Sequence, residues 1–76
     1  MPTVLRVDGF AVRIYTDDHR PPHVHIVKAG AVVAIALHPV TVLRVKAMRD
    51  ADVVSAVRVV EANVDRLLAE WRKIHG

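Results

Sequence analysis

One feature constrains this chain more than any other: its hydrophobic period changes part-way along. Up to about residue 46 apolar and polar residues alternate, the period of a half-buried strand. From about residue 50 the apolar residues recur every three or four positions. Val53, Val57, Val60, Val64, Leu67, Trp71 and Ile74 form a strict stripe at heptad spacing. Strands followed by one helix, in 76 residues, leave room for one domain. The chain reads as α+β: a small antiparallel sheet of three to five strands, then one long C-terminal helix packed on one face. That domain spans residues 1–76, β-rich over 1–46 and helical over about 50–75.

Within the first half, Val4 to Val7 reads as a short strand, and Asp8-Gly9 is a two-residue hairpin signal. Phe10 to Thr16 reads as the second strand, with Phe10, Val12 and Ile14 on one face and Arg13 and Tyr15 on the other. Asp17 to Pro22 must be a loop, because its prolines remove ladder donors. His23 to Lys28 resumes the alternation, Ala29-Gly30 turns, and Ala31 to Leu37 follows with Val33, Ile35 and Leu37 pointing one way. The links are too short for parallel crossovers, so the pairing is antiparallel. Val40 to Lys46 fits either a fifth, edge strand or a lead into the helix. Asp50 reads as the helix N-cap, with Asp52 in the first turn and Gly76 at the end.

Composition narrows the support for such a fold. A chain of this length buries about 60% of its unfolded surface and is marginal alone. The 53% hydrophobic content holds only 4% aromatic residues, and there is no cysteine for a disulfide or a thiolate zinc site. A straight helix of roughly 25 residues spans about 38 Å. Strands of six or seven residues reach about 20–23 Å. The end of the helix, Leu67, Leu68, Trp71 and Ile74, is therefore expected to overhang the sheet as apolar surface for a partner, another chain or a second copy. No apolar run approaches a membrane span, and the start lacks the pattern of a signal peptide, so a cytoplasmic location is expected. The net charge of +3 is compatible with an RNA, DNA or acidic protein partner.

Three of the five histidines fall in His19-Arg20-Pro21-Pro22-His23-Val24-His25. Alternation sets His23 and His25 on one face, and the prolines bring His19 and Arg20 toward it, with Asp17 and Asp18 just upstream. Four readings compete. His23 and His25, with Asp18 or His19, match an imidazole–carboxylate set for a divalent metal. His19, His23 and His25 also suit metal-free acid–base cleavage of a phosphodiester, with Arg20 stabilising the charged transition state. The cluster with Arg13, Tyr15 and Lys28 fits simple contact with phosphate or RNA. Lastly, the histidines fit a purely structural role, capping strand ends and packing on Tyr15.

With those residues in place, the chain resembles a family of small bacterial proteins known as a domain of unknown function, number forty-one sixty. The likeness runs from Met1-Pro2-Thr3-Val4-Leu5-Arg6 through Gly9-Phe10 and Ile14-Tyr15 to Asp18-His19-Arg20-Pro21-Pro22-His23-Val24-His25. It closes with Glu61-Ala62-Asn63, Leu67-Leu68, Trp71 and Ile74-His75-Gly76. The resemblance implies a small sheet with a C-terminal helix and the toxin half of a type II toxin–antitoxin pair, its partner encoded by the neighbouring gene. The family's core falls on His19, Pro21, Pro22, His23 and His25, and Arg20 stands where the family often has Pro. No catalytic mechanism comes with the resemblance, and the helix start at Met48-Arg49-Asp50 is less Ser-capped than is usual in the family.

The expected function is thus a toxin component neutralised by a partner protein and acting on RNA through His19, Arg20, His23 and His25. A non-catalytic protein- or nucleic-acid-binding module or regulator working inside a complex is the alternative. A metal-dependent hydrolase using Asp18, His23 and His25 is a third. The sequence leaves open whether the chain is an enzyme.

Overall fold

Five strands form one antiparallel meander in sequence order, and a single helix follows. A computed structural model describes residues 3–76. Met1 and Pro2, the first residues of the family-like opening, lie outside the described residues. The strands are β1 (Thr3–Val7), β2 (Phe10–Arg13), β3 (His23–Lys28), β4 (Ala31–Leu37) and β5 (Val40–Lys46), and the helix is α1 (Asp50–His75). The ambiguous stretch Val40–Lys46 is a full strand on the sheet edge.

The two tight turns at Asp8-Gly9 and Ala29-Gly30 use left-handed backbone at both central residues, with φ of 53° and 80° in the first and 49° and 83° in the second. Such mirror-image turns match the twist of a hairpin. Glycine accepts that conformation freely, but Ala29 does not, at a cost of roughly 1 kcal/mol. Ala29→Asn would create the preferred Asn-Gly pair and is expected to raise stability by about 0.5–1 kcal/mol, or several °C in Tm. A lower Tm in a thermal melt would show that the alanine methyl matters more than the backbone.

β2 ends at Arg13, three residues earlier than alternation predicts. Ile14 remains buried as the chain leaves the sheet, so its apolar position was read correctly although its conformation was not. On one face of the sheet Phe10, Val12, Val24, Ile26, Val33, Ile35 and Leu37 are buried, and α1 covers them with Ala56, Val59, Val60, Leu67 and Trp71. The helix spans Asp50–His75, within the expected bounds, but Asp50 is its first residue and not its N-cap. Arg49 is the N-cap and makes no side-chain capping bond, while Asp50 and Asp52 sit in the first turn.

The expected overhang is overturned. Leu67 is fully buried and Trp71 is 4% exposed, with Leu68 and Ile74 packed against the same core. The helix is kinked at Asn63, where φ is −130° and ψ is 16°. The Asn63 side-chain Nδ2–H donates to the Val59 carbonyl at 2.8 Å, occupying an acceptor of the helical ladder. A straight helix of this length would exceed the molecule's longest dimension of 33 Å; the bend brings its second half back onto the domain. Among the described residues no helix is long and apolar enough to cross a membrane.

Candidate functional site

The loop between β2 and β3 is held shut by its own residues. Tyr15 N–H donates to Asp18 Oδ2 at 3.1 Å, and Asp18 N–H donates back to the Tyr15 carbonyl at 3.2 Å. At the other end Leu37 N–H donates to the Pro22 carbonyl at 3.0 Å, tying the loop to the end of β4. Asp18 is thereby fixed with its second oxygen turned toward β3. Prolines that cannot donate leave their carbonyls as acceptors, and the loop uses both of them.

His23 and His25 meet at that second oxygen. His25 Nε2–H donates to Asp18 Oδ1 at 3.2 Å, and His23 Nε2 lies 3.6 Å from the same atom. His23 Nδ1–H donates to the Pro21 carbonyl at 2.8 Å. That bond fixes the tautomer of a neutral His23 and leaves its Nε2 with a lone pair. A cation shared between that lone pair and the carboxylate would satisfy both acceptors. The ligand atoms of Asp18, His23 and His25 all lie within 4.8 Å of one another. Ligands of a tetrahedral ion at roughly 2.1 Å sit about 3.4 Å apart. Small side-chain rotations therefore reach that spacing, and three protein ligands would leave a position open for water or substrate.

Five rings run in series through this site. Tyr15 meets His25 edge-on at 4.8 Å between centroids, His25 meets His23 at 5.1 Å, and His23 meets Trp71 at 5.5 Å. Trp71 stacks on His75 at 3.9 Å, and His75 Nε2–H returns to the Tyr15 carbonyl at 3.1 Å. The helix terminus thus braces the wall of the site. His75 escaped the sequence reading because a penultimate residue gives no signal of packing.

Beside the triad, on the sheet face turned away from α1, is a pocket of about 390 Å³. Cross-strand register builds it: His25 pairs with Ala34 and Ala34 with Arg44, while Val32 pairs with Lys46. Small residues at Val32 and Ala34 leave the floor low and apolar, and His19, Arg20, His23, His25, Arg44 and Lys46 stand around it. Among the described residues lining the pocket there is no carboxylate. Arg44 and Lys46 were missed for want of assigning β5 as a strand; once it is one, alternation places both on this face.

The remaining sequence candidates divide. Arg13 pairs with His25 across β2 and β3, and its Nε is buried without a partner among the described residues, but it does not line the pocket. Lys28 belongs elsewhere. Its Nζ lies 3.3 Å from Asp52 and 5.1 Å from the Phe10 ring centroid, so it tethers the helix start and does not join the histidines. Leu67, Leu68, Trp71 and Ile74 serve the interior, and Trp71 supports His23 from behind.

A family model described as "Domain of unknown function (DUF4160)" matches residues 9–72. No curated protein and no solved structure matches the chain.

Proposed function

The chain belongs to this family of unknown function, and from that premise we propose that it is the toxin half of a two-protein module that acts on RNA. The observation that carries the reading is the pocket: three permanent cations, Arg20, Arg44 and Lys46, and three imidazoles around a small apolar floor. Fixed cations bind phosphate, imidazoles exchange protons near neutral pH, and a shallow floor admits an unpaired base. His25, oriented by Asp18, and exposed His19 are the groups placed to give or take a proton, with Arg20 against the developing charge.

Neutralising three phosphates of a single strand gives log K against log salt a slope of about −2, and removing two cations lowers it to about −0.7. A fluorescently labelled single-stranded RNA should show the first slope with the native chain and the second with Arg44→Ala/Lys46→Ala. Expressed alone, the native chain should arrest growth, and a folded His23→Ala/His25→Ala chain should not. Salt-independent binding, or full arrest by the folded double variant, would sink the assignment.

One observation favours a second reading of the same site. Asp18, His23 and His25 bring their ligand atoms within 4.8 Å of one another beside the pocket, with the His23 tautomer fixed in the ligating sense by Pro21. A bound cation there would supply a polarised water beside a captured phosphodiester, making the chain a metal-dependent hydrolase.

A further inference from the structure

β5 is a seven-residue edge strand, and among the described residues no further strand pairs with its outer side. Its residues from Thr41 to Lys46 are all exposed, and Val42, Leu43 and Val45 are 39%, 51% and 45% exposed. With Val54 of α1, these are the exposed large hydrophobics among the described residues. Natural edges are blunted by proline, by brevity or by a covering element. This one is long and apolar, relieved by a bulge opposite Ala34/Ile35 and by Arg44 and Lys46. The unpaired backbone is a template for another strand.

We infer that β5 docks an extended segment of a partner protein in which apolar residues alternate with carboxylates, and that this segment closes the phosphate pocket. The register fixes the pattern. Val45 pairs with Val33 and Val42 with Ile35, so these two lie on the helix-covered face, where added apolar side chains extend the core. Arg44 and Lys46 pair with Ala34 and Val32 on the pocket face, where carboxylates of an added strand would meet them. A second copy of the chain fits less well, because pairing the regular Arg44–Lys46 stretch with itself sets cation opposite cation. Since Arg44 and Lys46 also line the pocket, carboxylates that hold them compete with phosphate. Docking stands on the edge alone; the competition rests on the RNA reading above.

The probes are two synthetic eight-residue peptides of alternating valine and glutamate, or valine and lysine, added to the full chain. Amide hydrogen exchange followed by NMR should show the glutamate peptide protecting β5 and leaving β1 unchanged, with the lysine peptide about tenfold weaker. Arg44→Glu/Lys46→Glu should reverse that preference, a swap that simple misfolding cannot produce. The glutamate peptide should also displace labelled RNA from the native chain. Equal binding of both peptides, protection on β1, or β5 protected by self-association without peptide would each overturn the docking. Protection of β5 with RNA still bound would overturn the competition, and no RNA binding at all would overturn the RNA reading while leaving the docking standing.

Discussion

Trp71→Ala is expected to lower unfolding stability by about 3–5 kcal/mol, the usual cost of truncating a buried tryptophan. A 76-residue domain carries roughly 4–11 kcal/mol in all, so the variant should lose between about a quarter and the whole of its stability. The reason lies in position as well as size. Trp71 is the chain's single tryptophan, 4% exposed, and it joins the bent half of α1 to His23 on one side and His75 on the other. Urea denaturation followed by far-UV circular dichroism measures the loss without needing the missing fluorophore. Trp71→Phe should recover most of the stability, since a ring remains to meet His23 and His75. A loss below about 1 kcal/mol for the alanine variant would mean that the second half of α1 contributes little packing, contrary to its burial.

That prediction also marks where sequence reasoning stopped. The stripe Val53, Val57, Val60, Val64, Leu67, Trp71, Ile74 was legible as a buried face, and the alternation of Val33, Ile35 and Leu37 as the surface it covers. Both follow from side-chain geometry local to one element. The bend at Asn63 was not legible, because asparagine sits inside many straight helices; only here does its amide take the Val59 carbonyl. Treating the helix as a rod then turned core residues into expected surface. The end of β2 failed for a related reason. Tyr15 and Asp18 close a turn through a side chain, and Ile14 keeps its apolar place outside the ladder. At the site, the pairing of His23 with His25 and the nearness of Asp18 could be read from strand period and loop length. Arg44 and Lys46 could not, because their place depends on a β4–β5 register that the ambiguous apolar stretch left unassigned. Lys28 was misplaced by charge alone: its parity with Val24 and Ile26 sends it to the helix side, where Asp52 waits.

Asp18→Asn is the sharper probe of the chemistry, because it keeps the shape of the side chain while removing what the site needs from it. The carboxylate serves three groups at once: Tyr15 N–H through Oδ2, His25 Nε2–H through Oδ1, and His23 Nε2 facing Oδ1. An amide has one oxygen, so it can satisfy Tyr15 or His25 but not both, and its NH2 then opposes a donor. Burial leaves little water to compensate, with the Asp18 side chain only 12% exposed. For a divalent cation the change removes the single anionic ligand of the set. Affinity for added Zn²⁺, measured by titration calorimetry on untagged protein, should fall by at least about 100-fold, the upper end of what loss of even an outer partner costs. Native affinity should also rise with pH, because protons compete for the imidazoles. The salt slope for RNA should stay near about −2 in the variant, since Arg20, Arg44 and Lys46 remain. Zn²⁺ affinity unchanged by Asp18→Asn, or absent from the native chain, would remove the cation from the site and leave the histidines to acid–base work alone. Loss of the salt slope together with the metal would instead show that Asp18 holds the whole loop in place, making it a positioning residue for Arg20 as well as for His25.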